Sequence, residues 1–240
     1  MSLSPNRGPR RHGGRPDMVV LHYTGMDTAG AAVARLCDPA SGVSAHYVVT
    51  EDGVTLPLVD EHQRAWHAGS GAWGDVTDVN SRSIGIEIVN PGPDGPRPRF
   101  PDAQMAAVEA LLAAILVRWQ IPPERVIGHS DMAPGRKHDP GPCFNWHRLA
   151  DRGLSVWPAD GAHVSETGTD LWPRFIPAAR RFGYRVPVDS RQGWQATLAA
   201  FRLRFRPGRA GPIAPHDVAI IENLAIRYPC AAVDGNRAFA

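Results

Sequence analysis

Residues 83–89 read Ser-Ile-Gly-Ile-Glu-Ile-Val, a continuous apolar run that one charge, Glu87, interrupts. A short apolar run of this kind predicts a β-strand. An ionised carboxylate inside such a strand must be paired, bound to a metal, placed on an exposed face or functional, because burying it alone is costly. The run therefore predicts a strand of the core and makes Glu87 a candidate for a chemical role.

Strands and helices alternate on both sides of this run. Further strands are predicted at 18–21, 44–50, 54–59 and 126–128, and a turn at 51–53 joins the second and third into a hairpin. Helices are predicted at 28–36 and, from apolar residues at helical spacing, behind an N-cap at Asp102. The mixture predicts an α/β domain over residues 1–156.

The end of the chain differs from this domain in charge. Residues 1–170 hold 15 Lys and Arg against 20 Asp and Glu, whereas residues 171–240 hold 11 against 4. Residues 157–170 are rich in small and hydroxyl residues and predict a linker. A small three-helix bundle is predicted over 171–240, with helices at 171–182, 191–205 and 215–228. A bundle of this size would be only marginally stable if it had to fold alone. Its basic surplus favours an anionic partner.

Composition also excludes several classes of protein. No run of apolar residues approaches the length of a membrane span. The basic C-terminal part contains no groove-reading motif or zinc knuckle that would indicate binding to nucleic acid. Residues 1–17 lack the apolar core of a secretory signal, and three cysteines do not make a disulfide framework. A cytoplasmic monomer is expected, and a periplasmic location remains an alternative if a signal segment has been removed.

Two histidines follow predicted strands, and a carboxylate lies close behind the second. His22 closes the strand at 18–21, His129 follows the strand at 126–128, and Asp139 lies in the loop Gly-Arg-Lys-His-Asp-Pro-Gly at 135–141. Two imidazoles, one carboxylate and an open position are typical of a hydrolytic zinc site. We therefore predict that these three residues bind one Zn²⁺.

Lys137 is the single lysine of a chain that carries 25 arginines. Its ammonium is a compact charge, whereas the charge of an arginine is spread over a planar guanidinium. This difference favours a specific role for Lys137. In a zinc hydrolase, Glu87 would accept a proton from the attacking water. Lys137 would stabilise the negative charge that grows on the attacked carbonyl oxygen.

Each candidate also has a purely structural explanation. Histidines at strand ends are often partly buried without a function, an Asp before Pro-Gly is a good turn residue, and one lysine among many arginines can survive by chance. Other side chains compete as metal ligands, namely His46, His67, His138 and Cys143.

Five segments in a fixed order carry a resemblance to a known family. They are Val20–Thr24, Ser44–Tyr47, Ala65–Gly69, Asn80 with Ser83–Glu87, and Gly128–Asp131 with Lys137–Gly141. Together they resemble the zinc-dependent N-acetylmuramoyl-L-alanine amidases of the type-2 family, which are related to peptidoglycan recognition proteins. The resemblance covers roughly residues 15–155 and implies a central mixed β-sheet flanked by helices, with one Zn²⁺.

The resemblance also implies roles for individual residues. His22, His129 and Asp139 match the metal ligands, and Glu87 and Lys137 match the catalytic positions. Four residues match positions that line the family's substrate groove: His46, Trp66, His67 and Asn90. Relatives with a cysteine ligand have it immediately before the Pro-Gly, where this chain has Asp139, so Cys143 is expected to be incidental or to lie behind the ligands. Residues 171–240 resemble the small peptidoglycan-binding domain often attached to such enzymes.

The expected reaction is hydrolysis of the amide between N-acetylmuramic acid, or its 1,6-anhydro form, and L-alanine in peptidoglycan or muropeptides. Two other functions are alternatives. One is a recognition protein that binds peptidoglycan without cutting it. The other is a non-haem iron oxygenase, in which His129, Asp131 and His147 would form a facial triad.

Overall fold

The protein is described here from a computed structural model that covers residues 4–92, 99–159, 170–186 and 188–230. Seven strands lie in these residues: β1 (Arg7–Pro9), β2 (Met18–Tyr23), β3 (Tyr47–Val49), β4 (Thr55–Pro57), β5 (Gln63–Ala65), β6 (Ser83–Ile88) and β7 (Val126–Gly128). Five of them form one sheet in the order β4-β3-β6-β2-β7. The hairpin partner β4 is antiparallel and the other pairs are parallel, which confirms the predicted mixed sheet.

The same residues contain eight α-helices. These are α1 (Ala29–Cys37), α2 (Val79–Arg82), α3 (Asp102–Trp119), α4 (His129–Met132), α5 (Trp146–Asp151), α6 (Trp172–Phe182), α7 (Arg191–Phe205) and α8 (Pro215–Arg227). The predicted long helices are all present. The N-cap of α3 is Pro101 and not Asp102, which is the first helical residue. The predicted strand at 44–50 is shorter, because the Ser44 N–H donates to the Trp66 carbonyl outside the main sheet.

The alternation of side chains divides β2 between two apolar clusters, whereas β6 contributes to one of them. Ile84, Ile86 and Ile88 join the apolar cluster under α3, as do Val19 and Leu21 of the neighbouring strand. Successive residues of a strand point to opposite faces. Glu87 therefore points away from α3, and its position within an apolar run follows from the period of the strand.

The register of the parallel strands brings the candidate residues to one edge of the sheet. His22 lies opposite Glu87 across β2 and β6, and Leu21 lies opposite Gly128 across β2 and β7. His129 follows Gly128 directly, so three neighbouring strands end in candidate residues. The carboxyl ends of parallel strands are where α/β folds bind their ligands.

The C-terminal helices cover the second face of the sheet. One continuous apolar cluster contains Val20 and Ile127 of the sheet, Met132 of α4, and Phe175 and Phe201 of the C-terminal helices. Much of the predicted linker, residues 160–169, lies outside the described residues. The division into 1–156, 157–170 and 171–240 stays a prediction about independent folding. In the described residues no helix is both long and apolar enough to cross a membrane.

The shared cluster leads us to expect one cooperative unfolding transition. Phe201 is fully buried and packs edge-on against Phe175, so Phe201→Ala should destabilise the protein by about 3–5 kcal/mol. Calorimetry and tryptophan fluorescence should report the same lowered midpoint for the whole chain. Two separate transitions, of which only the smaller one shifts, would contradict this expectation and would favour an independent C-terminal domain.

Candidate active site

The structure brings the three predicted metal ligands together. The Nδ1 atoms of His22 and His129 lie 2.9 Å apart, and the Asp139 Oδ2 atom lies 2.9 Å from the first and 3.0 Å from the second. All three residues are buried. Cys143, by contrast, is exposed and outside this group.

This triangle of atoms fits a small tetrahedral cation. Ligand atoms bound to zinc at about 2.0–2.2 Å lie about 3.3 Å from one another in a tetrahedron. The three sides of the observed triangle are slightly shorter, so a modest outward movement of the side chains would admit the ion. Two imidazoles and a carboxylate are also the donor set that zinc accepts in hydrolytic sites, with the fourth position left open.

The far side of each histidine ring is hydrogen-bonded in a way that directs its lone pair to this triangle. The His129 Nε2 lies 2.8 Å from the Ala68 carbonyl oxygen. A carbonyl can only accept, so the proton of the neutral ring lies on Nε2 and the Nδ1 lone pair faces the other ligands. Bonds of this kind orient metal-binding histidines and increase their basicity.

His22 is oriented by a longer chain of hydrogen bonds. The Ser83 hydroxyl donates to the Val79 carbonyl at 2.6 Å, so it accepts from the Nε2–H of His67 at 3.1 Å. The His67 Nδ1 then accepts from the Nε2–H of His22 at 3.0 Å, which leaves the His22 Nδ1 free to bind a metal. Burial lowers the pKa of His22 to about 4; burial, and next the closeness of the His22 ring, hold the pKa of His67 well below its ordinary value. Both rings are therefore neutral at pH 7.

Glycine at position 85 makes room for the His67 ring. A Cβ atom there would lie 2.4 Å from His67 Cγ, closer than any side chain can approach. Only glycine lets the ring lie against β6. His67 thus lines the cleft and also contacts His22, a candidate metal ligand, which the sequence motif did not indicate.

Two of the four residues predicted to line the substrate groove lie elsewhere. His46 is fully buried; its Nδ1 accepts from the Gly85 N–H at 2.9 Å and its Nε2 lies 3.2 Å from an Arg10 nitrogen. Asn90 is buried with its Oδ1 on the Gly92 N–H at 3.0 Å. Neither lines the described cleft. The predicted substrate contact of both stays a prediction, since the hydrogen bonds described for their side chains are to backbone groups and to Arg10.

An open cleft of about 390 Å³ leads from the ligand triangle to solvent. Trp66 and Lys137 line it, as predicted, together with His138 and two arginines that the sequence analysis did not single out, Arg35 and Arg136. The chain has 25 arginines, so the sequence alone does not distinguish these two from the others. Arg35 belongs to α1 and Arg136 follows α4, so their place on one cleft becomes apparent only in the fold.

Glu87 also lines the cleft, and one of its oxygens has no partner. Oε2 is buried and accepts no hydrogen bond from any described residue. Burial, and next the negative charge of Asp139, hold the pKa of Glu87 well above its ordinary value, while Lys137 lowers it. A carboxyl group in such surroundings can exchange a proton near neutral pH.

The residues of the alternative iron site do not converge. Asp131 is fully buried and accepts hydrogen bonds from Tyr184 and Arg204. His147 is more than half exposed and pairs with Asp151 on the surface of α5. The mixed sheet also differs from the β-rich barrel of those oxygenases, so the structure gives that function no site.

Comparison with known proteins agrees with this geometry. A family profile described as N-acetylmuramoyl-L-alanine amidase matches residues 12–142, more than half of the chain. The chain belongs to this amidase family. It is 36% identical to the N-acetylmuramoyl-L-alanine amidase AmiD of Escherichia coli, over 89% of this chain and 84% of that protein.

Two solved structures of the family are similar over nearly the whole chain. AmpDh3 of Pseudomonas aeruginosa in complex with anhydromuramic pentapeptide has a TM-score of 0.83 and 31% identity, over 96% of this chain and 99% of that one. AmiD of E. coli in complex with anhydro-N-acetylmuramic acid-L-Ala-D-γ-Glu-L-Lys has a TM-score of 0.79 and 34% identity, over 90% and 92%. The amidase therefore shares its overall architecture, C-terminal helices included, with enzymes that act on muropeptides.

The hydrogen-bond chain behind His22 predicts an effect on metal binding. His67→Ala removes the acceptor that fixes the His22 tautomer, so zinc affinity, measured by competition with a chromogenic chelator, should fall about 10-fold or more. His62→Ala is the matched control, since His62 is an exposed histidine that contacts Trp119 edge-on. Equal zinc affinity of the two variants would contradict the role of His67.

From the unpartnered carboxyl group of Glu87 we predict an effect on the melting temperature that depends on pH. In chelator-treated protein, the raised pKa of Glu87 means that the fold penalises its charged form. That penalty is absent below the unfolded pKa near 4.5 and grows as pH rises. Glu87→Gln should therefore raise the melting temperature at pH 8, by about 2–4 °C for each kcal/mol recovered, and not at pH 4.

Glu61 supplies the matched control for this measurement. It is another buried carboxylate, but hydrogen bonds from Arg118, Tyr47 and Trp119 outweigh burial and hold its pKa below the ordinary value. Glu61→Gln should lower the melting temperature at pH 8. A loss of stability in both variants would show that Glu87 is paired in solution.

Proposed function

We propose that the cleft hydrolyses the amide between the lactyl carbonyl of N-acetylmuramic acid and L-alanine with one Zn²⁺ held by His22, His129 and Asp139. The observation that carries the proposal is the convergence of three ligand atoms within 3.0 Å of one another. His22 lies near the end of β2, opposite Glu87 of β6, whose Oε2 has no hydrogen-bond partner among the described residues. Bound zinc would supply a Lewis acid and a lowered pKa for water.

Glu87 is the proposed general base. Its raised pKa matches a group that must take a proton from water and release it again near neutral pH. Its position opposite His22 on the neighbouring strand keeps it close to the ligand triangle without making it a ligand. Once protonated, Glu87 passes the proton to the nitrogen of L-alanine as the amide breaks.

Lys137 is the proposed stabiliser of negative charge on the carbonyl oxygen. It lines the same cleft, and its charge acts on both Glu87 and His22. Its backbone N–H donates to the Ala133 carbonyl at 3.1 Å, which ties it to the loop behind α4. An ammonium held beside a developing oxyanion stabilises it more strongly than one in bulk solvent does.

The substrate class follows from the cleft and from the relatives. The similar AmpDh3 and AmiD structures hold anhydromuramic peptides. In this chain, Arg35 and Arg136 line the cleft and would complement the carboxylates of a stem peptide. We therefore propose muropeptides with a free carboxylate on the stem as substrates. A recognition protein without catalysis is the less favoured function, since all five predicted positions are filled.

A second groove supports the proposal that the C-terminal helices bind cell-wall polymer. It has a volume of about 680 Å³ and lies along α6 and α7, where Trp172, Arg191 and Arg209 line it. An aromatic ring with basic side chains suits a sugar chain that carries acidic peptides. This function would be additional to the reaction in the cleft.

The reaction is tested with purified protein and a defined anhydro-muropeptide, with mass spectrometry of the released peptide. Glu87→Gln and Lys137→Met should each lower kcat by about 100-fold or more and keep stoichiometric zinc. His129→Ala should lose the zinc, as elemental analysis would show. Near-normal turnover of Glu87→Gln would remove this residue from the mechanism.

A second substrate distinguishes the two cellular locations considered for the enzyme, the cytoplasm and the periplasm. Whole sacculi are incubated in parallel with the anhydro-muropeptide, and the released peptides are compared. Release from the small substrate alone would fit the predicted cytoplasmic recycling. Efficient release from sacculi would favour the periplasmic alternative and a polymer-binding role for the groove along α7.

A further inference from the structure

Asp131 is a fully buried carboxylate that neither the ligand triangle nor the cleft uses. Its Oδ2 accepts from the Gly128 N–H at 2.9 Å and from an Arg204 guanidinium nitrogen at 2.9 Å. Its Oδ1 accepts from the Tyr184 hydroxyl at 2.6 Å. Arg204 and Tyr184 belong to the C-terminal part of the chain and are themselves buried. The C-terminal part thus supplies two of the three partners of this charge.

The turn that carries Asp131 also carries a metal ligand. The hydrogen bond from the Gly128 N–H to Asp131 closes the turn of α4, in which His129 is the first residue. The Ser130 N–H donates to the Asp139 carbonyl at 2.9 Å. The backbones of two metal ligands are therefore joined through one turn, and the position of that turn depends on Asp131.

Helix α7 contacts the same loop a second time, further along. Gly135 has φ = +76°, and a Cβ atom there would lie 3.0 Å from the Cβ of Ala196. Gly135 lies between Ala133 and Lys137, which are joined by a backbone hydrogen bond. Helix α7 therefore contacts this segment at the turn of His129, through Arg204, and again at Gly135, two residues before Lys137.

We propose that the C-terminal helices position the catalytic loop, and that Arg204 and Tyr184 are positioning residues for His129 that act through Asp131. A buried carboxylate that loses its cation is strongly destabilised, and moving the turn towards solvent relieves the cost. That movement would release the Gly128 N–H and shift His129 away from the other ligands. The inference rests on the proposed zinc site and gives the C-terminal helices a role in metal affinity as well as any role in wall binding.

The same helix provides a matched control. Arg202 is also buried, and its guanidinium binds both oxygens of Asp217, at 3.1 and 2.5 Å. Asp217 is fully buried and accepts from the Ala214 N–H at the start of α8, as Asp131 does at the start of α4. Both pairs join a buried arginine to a buried aspartate at a helix start, and only the pair of Arg204 lies next to a candidate metal ligand. Asp217 is also bound by Arg206, at 2.7 Å, so it keeps one cation when Arg202 is replaced.

The test measures zinc dissociation constants by chelator competition, together with melting temperatures, in the full-length protein. Arg204→Met should weaken zinc binding by about 10–100-fold, the range seen when a group behind a metal ligand is removed, and Tyr184→Phe should weaken it by about 3-fold or more. Arg204→Lys should restore part of the loss. Arg202→Met should lower the melting temperature while zinc affinity stays within about 2-fold of the starting protein.

Three results would overturn the inference. The first is unchanged zinc affinity in both Arg204→Met and Tyr184→Phe. The second is an equal loss of affinity in Arg202→Met, which would indicate general destabilisation. If Arg204→Met does not fold, the test depends on Tyr184→Phe alone. Unchanged zinc affinity in Tyr184→Phe is then the third result that would overturn the inference.

Failure of the proposed function would look different from failure of the inference. A starting protein that binds zinc through the three ligands but releases no peptide from muropeptides would contradict the function. The comparison of dissociation constants among the variants would still support or overturn the role of Arg204. A starting protein that cleaves muropeptides, with zinc affinity that both Arg204→Met and Tyr184→Phe leave intact, would contradict the inference alone.

Discussion

The parallel pairing of β6, β2 and β7 is the constraint on which the rest of the site depends. It places Glu87, His22 and the residue after Gly128 side by side at one edge of the sheet. None of the three can reach that arrangement through local structure, because long segments of chain separate the strands. The apolar residues that alternate with them fix the register, since a shift by one residue would turn Glu87 into the core under α3.

The buried polar groups around this edge fall into two kinds. Most are fully partnered: His129 donates to a carbonyl, His46 accepts a backbone N–H, and Glu61 receives three side-chain donors. Glu87 is different, because one oxygen has no partner in the described residues. Such a group costs stability and is retained where chemistry requires a carboxyl that changes its protonation easily. The contrast with Glu61 separates the candidate base from an ordinary buried carboxylate.

Much of the fold and of the ligand set could be predicted from the sequence because the signals are local. Glu87 was visible as a charge in an apolar strand, and His22 and His129 were visible as the residues after two strands. The resemblance to the family assigns His46 to the substrate groove. In the structure its ring is fully buried between the Gly85 N–H and Arg10, and the position of a residue in a motif does not predict how enclosed its side chain is.

The pairing of Arg204 with Asp131 also changes how the charge of the chain is understood. The surplus of arginine after residue 170 predicted a basic surface for an anionic partner. Arg202 and Arg204 are nearly inaccessible to solvent, and each is neutralised by a buried aspartate. Asp131 belongs to the acidic first part of the chain, so part of the charge asymmetry is an internal contact between the two parts. The surface available to acidic polymer is therefore less basic than the sequence count implies, and exposed residues such as Arg191 and Arg209 matter more than the total.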